Sequence, residues 1–578
     1  MLGWLVRKTI AYFATRQAHR WAAAFREATR RPFQVQQRLL QWIVQRQSAT
    51  RFGREHGFAS IRTLEDYRRQ VPILTYEDLE PYIAEVRKGQ FDALLADDRV
   101  LMFAMTSGTT ASRKFIPVTP QYLSDYRRGW TIWGIAAFDD HPQAKLQPIL
   151  QLVGDWQEFH TEAGIPCGSV SGLTAQMQKR IVRRLYCLPP VTGKIKDAEA
   201  KYYVACRLSI HRPVGMICAA NPSTLVQIAC TMDREKETLL RDLYDGTLSP
   251  RYDIPRTVRE VLRPWTRRKH KRRVRELEKT LRLCGGHLYP IAVWPTLQLL
   301  GNWTGGTVRA YLKLYPRYFG TTPVRDLGLI ASEGRFSIPL EDGSASGVLE
   351  ITSHFFEFVP ENELNSQRPV VLAAHELEEG KNYFILPTTA FGLYRYNICD
   401  LVRVTGFYER TPMIEFLNKG AHFSNITGEK LSEYHVVTAV DRSAQELQLT
   451  LTVYSLVPCW DESQPFYGLF VEEGDLENLE QARRLAARVD RALLQLNVEY
   501  HAKRQSRRLG SIRVMLLPRG TWTEWDRRRL ARTGGTVEQY KHPCLIPDLN
   551  VRESLPVLEQ IPADEDPVAL PAGSQSVA

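Results

Sequence analysis

The sequence has 578 residues, 44% of them hydrophobic and 24% charged, so it is too long for one hydrophobic core and is predicted to form at least two globular domains. The net charge of +12 and the pI near 9.2 suit an anionic ligand, nucleic acid or an acidic membrane surface, without choosing among them. The nine cysteines include no Cys-x-x-Cys pair, which argues against a disulfide framework or a zinc site. We therefore expect a reducing compartment, the cytoplasm.

The first 25 residues carry apolar side chains at helical spacing with basic residues between them. They lack a continuous apolar core and a cleavage signature, so they fit neither a signal peptide nor a spanning helix. Packing of an amphipathic helix onto the body of the protein is the favoured interpretation. Peripheral membrane contact through this helix is the less favoured alternative.

Strand and helix patterns alternate in the first two thirds of the chain. Thr75 is placed to cap a helix, residues 147–153 and 215–219 are apolar strand candidates, Asn221 starts a further helix, and residues 324–331 form another candidate strand. This alternation indicates an α/β body with a largely parallel sheet. From residue 347 to 404 the pattern is rich in strands and predicts an antiparallel, barrel-like appendage.

The densest basic run is Arg267 to Arg273, and it continues into a segment with apolar residues near helical spacing. We interpret it as the solvated start of a helix, with an RNA or lipid surface as the alternative. No aromatic interleaving supports the nucleic-acid option, so we expect no nucleic-acid partner.

A second, smaller unit begins near Gly420 and alternates helices with strands. The predicted elements are a helix, two strands, a long helix, a strand and a final helix, at residues 431–446, 447–457, 466–472, 476–496, 511–517 and from 521. We expect a large domain over residues 1–420 and a small α+β domain over 421–546. The Pro-rich, acidic residues 547–578 are predicted to be disordered.

A loop rich in small hydroxyl residues follows a short apolar run that ends at Met105. Its backbone N–H groups and hydroxyls can surround phosphate oxygens while Lys114 supplies a positive charge, which suggests ATP. The spacing of a Walker A loop is absent, so no P-loop NTPase fold is implied, and an ordinary turn is the alternative. The phosphate-binding candidates are Thr106, Ser107, Gly108, Thr109, Thr110 and Lys114.

Three further segments carry candidate chemistry. Ser332 and Glu333 end an apolar run, where strand-terminal residues of an α/β sheet meet ligands. Asp400 closes the segment Tyr-Arg-Tyr-Asn-Ile-Cys-Asp and could accept hydrogen bonds from ribose hydroxyls. Lys541 stands in a loop after the final helix. Each of these residues alone also fits a cap, a turn or an ordinary surface position.

In chain order, these four segments resemble the motifs of the adenylate-forming superfamily, which includes acyl-CoA ligases and luciferase. They are most similar to the plant auxin-responsive acyl acid amido synthetases, the Gretchen Hagen family. The phosphate loop resembles residues 106–114, the Ser-Glu motif 332–333, the Tyr-Arg-x-x-Gly-Asp motif 394–400 and the Gln-Tyr-Lys-x-Pro motif 539–543. The likeness extends from residue 47 to 546.

The sequence departs from the family's pattern at three places. Leu329 replaces an aromatic residue, Cys399 replaces the Gly before the Asp, and Ala111-Ser112 replaces a glycine-containing pair. These departures suggest a bacterial-type branch whose acid and amine differ from those of the plant hormone enzymes.

The resemblance implies an ATP-dependent ligase that forms an acyl-adenylate and then an amide with an amine acceptor. Acid-thiol ligation with CoA, or a catalytically silent binding protein on the same scaffold, are the alternatives. The expected partners are a small carboxylic acid and an amine, and the expected state is a monomer with a small domain that moves as a lid.

The family's roles transfer to matching positions of this sequence. Glu333 would hold Mg²⁺ and act in catalysis with Lys541, and Asp400 would bind the ribose. The remaining nucleotide-binding positions implied by the resemblance are the phosphate-loop residues given above, Ser332, Phe416 and Lys430.

Overall fold

The computed structural model describes residues 2–563 apart from residues 98, 108–112, 146, 179, 306–310, 364–365, 367, 419–422 and 534–541. The chain divides into two compact units. The large unit comprises residues 1–106 and 114–417, and the small unit comprises residues 107–113 and 418–578.

The large unit contains many helices, most of them in the part of its sequence before residue 320. They are α1 (Leu2–Thr29), α2 (Pro32–Gln47), α3 (Arg51–Glu55), α4 (Leu64–Gln70), α5 (Tyr76–Arg87), α6 (Pro120–Asp140), α7 (Val170–Gln176), α8 (Arg180–Arg183), α9 (Ala198–Ser209), α10 (Pro222–Arg234), α11 (Lys236–Asp245), α12 (Arg256–Thr266), α13 (Lys271–Leu283), α14 (Pro290–Val293) and α15 (Tyr315–Phe319).

Helix α1 packs on α6. Phe25 is buried in the core cluster that contains Ile132 and Trp133, and His19 Nε2 lies 3.0 Å from Asp139 Oδ2. Capping confirms two predicted helix starts, since Thr75 precedes α5 and the side chain of Asn221 accepts from the N–H of Ser223 at the start of α10. Across the described residues, no helix is long and apolar enough to cross a membrane.

Strands of the large unit fall into three main sheets. They are β1 (Met102–Ser107), β2 (Arg113–Val118), β3 (Ile149–Gln151), β4 (Phe159–His160), β5 (Pro166–Gly168), β6 (Met216–Cys218), β7 (Leu299–Gly301), β8 (Val324–Arg325), β9 (Ile330–Ala331), β10 (Gly334–Arg335), β11 (Ser337–Ile338), β12 (Gly347–Leu349), β13 (Phe355–Pro360), β14 (Leu372–Ala373), β15 (Asn382–Thr388), β16 (Leu401–Tyr408) and β17 (Thr411–Asn418).

The sheet β3-β6-β7-β8 is parallel throughout, with Leu150 aligned to Ile217 and Ile217 to Leu300. Its strands alternate with helices, which confirms the predicted α/β body. A second sheet, β2-β1-β5-β4, is mixed because β1 and β5 are parallel while β5 and β4 are antiparallel. This second sheet carries the two strands that flank the predicted phosphate loop.

The strand-rich segment forms a seven-stranded sheet of order β11-β12-β17-β16-β15-β13-β14. The pairings β12–β17, β13–β15 and β15–β16 are antiparallel, as predicted. The predicted barrel is wrong, because among the described strands β11 and β14 are open edges. Buried residues such as Phe356 and Phe358 on β13 pack in the main core of the large unit.

The small unit is a sheet covered by helices. Its elements are β18 (Phe423–Ser424), β19 (Leu431–Ser432), α16 (Glu433–Glu446), β20 (Tyr454–Cys459), β21 (Phe466–Glu472), α17 (Leu479–Leu496), α18 (Val498–Gln505), β22 (Arg513–Leu517), α19 (Thr521–Thr533), α20 (Val551–Ser554) and β23 (Glu559–Pro562). The sheet order is β20-β21-β22-β23, with β21 and β22 parallel. Leu485, Val489 and Leu493 of α17 are buried in its core.

The segment beyond residue 546 differs from the prediction. Strand β23 pairs antiparallel with β22, aligning Ile561 with Val514, and the Ile561 side chain is buried. The predicted disorder of residues 547–578 is therefore wrong for this strand, while residues 564–578 lie outside the described part.

Candidate active site

Lys114 lies on β2, which follows the predicted phosphate loop. Its Nζ is 3.4 Å from the hydroxyl oxygen of Tyr396 and 5.3 Å from the ring centroid of Tyr76. The Tyr76 hydroxyl accepts a hydrogen bond of 2.8 Å from the backbone N–H of Phe115, which fixes the start of α5 against β2. Two aromatic faces thus hold the ammonium group at a defined place by hydrogen bonding and cation–π attraction.

Tyr396 is positioned by a buried anchor next to it in the sequence. Arg395 has φ +42° and donates from Nε to Oε2 of Glu357 at 2.7 Å. The backbone carbonyl of Arg395 accepts from Leu74, and the N–H of Asn397 donates to the Leu74 carbonyl at 2.8 Å. The left-handed conformation of Arg395 and these bonds on both sides of Tyr396 direct the intervening side chain toward Lys114.

Ser332 and Glu333 form the turn between β9 and β10. The hydroxyl of Tyr122 donates to the Ser332 carbonyl at 3.0 Å. Gly334 ends the turn with φ +142°, and a Cβ there would lie 2.8 Å from a ring nitrogen of His354, so this position requires glycine. The Glu333 carboxylate acts electrostatically on two tyrosines, Tyr122 and Tyr396.

The negative charge of Glu333 affects the pKa values of two neighbouring tyrosines. Burial raises the pKa of Tyr396 well above its ordinary value, and the Glu333 carboxylate raises it further. Burial likewise raises the pKa of Tyr122, to which Tyr126 and then Glu333 contribute. These phenols stay protonated at neutral pH, so they act as hydrogen-bond groups rather than as bases.

Glu333 fits a ligand of a hard cation. It is 7% exposed, and none of the described residues donates a hydrogen bond to its carboxylate or pairs with it. Carboxylate oxygen is the donor that Mg²⁺ prefers, and Mg²⁺ takes few protein ligands because phosphates and waters complete its shell. The described residues contain no group of three His, Cys, Asp or Glu side chains arranged around a metal.

Asp400 is 2% exposed and immediately precedes β16, where its carbonyl accepts from the N–H of Ile385 at 3.2 Å. Cys399 has φ +59°, the left-handed region that favours glycine, and its N–H donates to Asn397 Oδ1 at 2.9 Å. The chain therefore retains the glycine conformation at the position where the family pattern has glycine. Phe416 lies half-buried on β17.

Helix α6 supplies an aromatic stripe that sequence reasoning missed. Tyr122, Tyr126 and Trp130 follow one another at a spacing of four, with ring centroids 5.8 and 6.3 Å apart. Trp130 lies under the guanidinium of Arg335 at 4.8 Å, and burial lowers the pKa of Arg335 to about 10. The spacing of four indicates that the three rings share one side of a helix, but no feature of the nearby sequence predicts that this helix contacts Ser332.

Lys430 lies in the small unit beside a fully buried carboxylate. Glu429 accepts from the N–H groups of Ile426 and Thr427 and from the hydroxyl of Tyr467 at 2.7 Å. The backbone carbonyl of Lys430 accepts from the side chain of Asn497 at 2.8 Å. These bonds fix the backbone at Lys430, whose side chain remains partly exposed.

Burial and, to a smaller extent, the neighbouring Arg508 together lower the pKa of the half-buried Lys503 to about 7. This second amine of the small unit was not predicted from the sequence, since burial of a lysine leaves no local pattern.

The structure brings Lys114, Ser332 and Glu333 together with the Tyr-Arg segment. Thr106 and Ser107 end strand β1, directly before the loop. The predicted residues Gly108, Thr109, Thr110 and Lys541 lie outside the described residues.

Comparison with known proteins matches most of the chain to one family. The GH3 family N-terminal domain matches residues 22–324, the central domain 347–419 and the C-terminal domain 434–550. A rice protein named probable indole-3-acetic acid-amido synthetase GH3.12 (Oryza sativa subsp. japonica) is 25% identical over 91% of this chain and 93% of its own. Jasmonoyl-L-amino acid synthetase JAR6 of Nicotiana attenuata is 22% identical over 90% and 93%.

Solved structures show the same fold. The GH3.15 acyl acid amido synthetase covers 94% of this chain and 96% of its own with a TM-score of 0.63 at 20% identity. A 2-hydroxyisobutyryl-CoA ligase in the thioesterification state covers 90% and 91% with a TM-score of 0.51 at 12% identity. With three family domains matched in order along most of its length, this chain belongs to the GH3 family.

Proposed function

We propose that this protein is an ATP-dependent acyl acid amido synthetase. The observation that carries the proposal is the meeting of three motifs in one place: Lys114 contacts Tyr396, and Glu333 acts electrostatically on that same tyrosine. A cation and a free carboxylate at one site suit a nucleotide triphosphate with its metal ion. The relatives named as amido synthetases support the choice of acceptor.

The first step joins the acid to the nucleotide. A carboxylate oxygen of the acid attacks the α-phosphorus of ATP, the bond to the bridging oxygen breaks, and pyrophosphate leaves with its electron pair. Negative charge grows on the phosphoryl oxygens, and a preorganised cation stabilises it. Lys114 supplies that charge, with Tyr76 and Tyr396 holding the ammonium group in place.

Glu333 and Asp400 would hold the metal ion and the nucleotide, respectively. Glu333 would ligate Mg²⁺, which when bound neutralises phosphate charge. Asp400 follows the segment anchored by Arg395 and would accept hydrogen bonds from the ribose hydroxyls. Ser332, Phe416 and Lys430 complete the proposed nucleotide contacts, and Lys541 adds a second cation during adenylation.

The second step forms the amide. The amine nitrogen attacks the acyl carbon of the adenylate, AMP leaves with the electrons of the carbon–oxygen bond, and the nitrogen loses a proton to solvent or a base. This step builds no new charge at the phosphorus, so it depends less on Lys114 than the first step does. The protein is proposed to act in the cytoplasm as a monomer.

A pyrophosphate-release screen tests the proposal. Aromatic and aliphatic carboxylic acids are each combined with ATP and Mg²⁺, then with amino acids or CoA, and products are identified by mass spectrometry. We expect release that requires ATP and one class of acid, and an amide as product. The inactive control is the double variant Lys114→Met/Glu333→Gln. A thioester product would favour the acid-thiol ligase, and no release with any acid would favour the silent scaffold.

A further inference from the structure

Most of the protein's net charge is concentrated in one twentieth of the chain. Residues 256–283 contain twelve Lys and Arg residues and three Glu residues, a net charge of +9, whereas the whole chain carries +12. This segment comprises α12, the connection 267–270 and α13. The proposed active site uses none of these residues, so the charge needs a separate explanation.

Only a few of these basic side chains support the fold. Arg259 donates to the carbonyls of Leu248, Ser249 and Tyr252, and Arg273 donates to the Val293 carbonyl at 2.6 Å. The inner faces of the two helices are apolar or neutral, since Val258, Leu262, Thr266, Val274 and Leu277 are buried. The two anchoring arginines and this inner face account for the packing.

The other basic side chains point to solvent. Within the described residues no carboxylate pairs with Arg263, Arg267, Arg268 or Lys269, and all four are exposed. Lys271 contacts an aromatic ring, its Nζ lying 5.0 Å from the ring centroid of Tyr244. Uncompensated like charge at this density destabilises a folded chain by self-repulsion, and an anionic partner removes that penalty.

Two exposed apolar side chains lie on α12, close in sequence to the basic run 267–271. Val261 is 50% exposed and Trp265 is 41% exposed. They are one turn apart on α12, so they share a face of the helix. Trp265 lies two residues before the exposed basic run, with the buried Thr266 between them. We call these residues the basic surface: Val261, Trp265, Arg267, Arg268, Lys269 and Lys271.

We propose that the basic surface docks the protein on an anionic lipid bilayer. Lys and Arg next to an anionic membrane are attracted by its surface potential, and a tryptophan is stable at the level of the headgroups. An amphipathic helix with basic and exposed apolar residues lies in the plane of such an interface. Helix α12 with Val261 and Trp265 outward has this composition.

The exposed apolar pair favours lipid over nucleic acid. A phosphodiester backbone would neutralise the arginines equally well, but it offers no apolar phase for Val261. Stacking of bases on aromatic side chains requires a platform of open aromatic faces. Trp265 is the one aromatic residue of the basic surface, and the exposed ring of the neighbouring Tyr244 is already in contact with the Lys271 ammonium group. The partner that this surface fits is therefore a membrane rich in anionic phospholipid.

Co-sedimentation with sucrose-loaded vesicles tests the proposal. The full chain is mixed with phosphatidylcholine vesicles that contain about 30% phosphatidylserine, or none, at roughly 0.1 M salt. We expect binding to the anionic vesicles alone. The variant Arg267→Glu/Arg268→Glu/Lys269→Glu should lower the partition coefficient about 100-fold or more, and Trp265→Ser about 10-fold.

The matched control is Arg483→Glu/Arg484→Glu/Arg491→Glu, which changes the net charge equally on exposed positions of α17. It should bind nearly as well as the wild type. Circular dichroism verifies that each variant is folded. Equal binding to neutral vesicles, or no loss in the basic-surface variant, overturns the proposal. Binding to single-stranded RNA that exceeds vesicle binding and survives Trp265→Ser also overturns it.

Discussion

Lys114 donates to the hydroxyl oxygen of Tyr396 at 3.4 Å, across 282 positions of the sequence. One residue ends the predicted phosphate loop and the other belongs to the segment that leads to Asp400. Since Glu333 raises the pKa of the same tyrosine, three motifs that are far apart in the chain share one site. The ammonium group is held by contacts within the protein itself, and such preorganisation is what charge stabilisation needs.

Replacing Lys114 by Met should slow ATP-dependent pyrophosphate release about 100-fold, the scale of losing one preorganised charge donor. Tyr396→Phe, which keeps the ring beside the ammonium group and removes only the hydroxyl, should cost less than Lys114→Met. Lys88→Met, an exposed lysine at the end of α5, is the control for loss of one positive charge. A Lys114→Met enzyme with the wild-type rate would remove this residue from the chemistry.

Glu333→Gln tests the metal ligand. The amide keeps the size of the side chain but loses the charge that Mg²⁺ prefers, so we expect the Mg²⁺ concentration for half-maximal pyrophosphate release to rise about 10-fold or more. Glu341→Gln, at an exposed position nearby, should leave the Mg²⁺ dependence unchanged. A purely structural role for Glu333 predicts instead a lower melting temperature with the same Mg²⁺ dependence.

In the small unit, the local sequence pattern predicted a strand with clear flanking turns well and a helix without such flanks poorly. The strand predicted over 466–472 has those bounds, because its apolar run is flanked by clear turn residues. The sequence does not predict helix α18 as a separate element. Asn497 both ends α17 and caps α18, so no loop of turn-forming residues separates the two helices. A single polar residue serving both helices is hard to distinguish from an interruption.

The two fold errors have related causes. Alternation of apolar residues predicts strands and the buried face, but it does not determine whether β11 and β14 pair to close a barrel. In β23 only Ile561 is buried, so its composition resembles that of a disordered tail. Edge strands contribute few buried side chains, and composition alone does not reveal them.

The site residues that stand in sequence motifs were predictable, and the contacts that bring these residues together were not. Lys114 and Glu333 stand in recognisable segments. Tyr122 reaches the Ser332 carbonyl across 210 positions, and Tyr76 reaches Phe115 across 39. Such contacts depend on how the chain folds, and no local pattern in a single sequence predicts them.

Cys399→Gly should stabilise the protein by about 0.5 to 1 kcal/mol, because a non-glycine residue with φ in the left-handed region is strained. The φ of Cys399 is +59°. The matched change Cys284→Gly, at φ −99° after α13, relieves no such strain and should destabilise slightly. Urea unfolding measures both. Loss of stability in Cys399→Gly would mean that the thiol's contacts outweigh the strain.

The last prediction concerns Asp125 on α6, one turn after Gln121. Burial raises the pKa of this carboxyl to about 7, with Arg128 at 3.1 Å and Gln121 at 3.0 Å only partly offsetting it and Glu350 raising it. The folded state therefore binds a proton more tightly than the unfolded chain. Its contribution to stability is complete below the ordinary pKa of Asp and is lost as the pH rises through about 7.

Asp125→Asn has no proton to lose, so its stability relative to the wild type should increase between pH 4 and 7, by an amount on the order of 3 kcal/mol. The measurement is urea unfolding of both proteins across that range. Their difference removes the opposite contribution of His354, whose pKa burial lowers to about 3. Asp245→Asn, at an exposed position on α11, should change stability by less than about 0.5 kcal/mol at every pH. A flat difference for Asp125→Asn would show that this carboxylate stays ionised in the folded protein, held by Arg128 and Gln121 against the cost of burial.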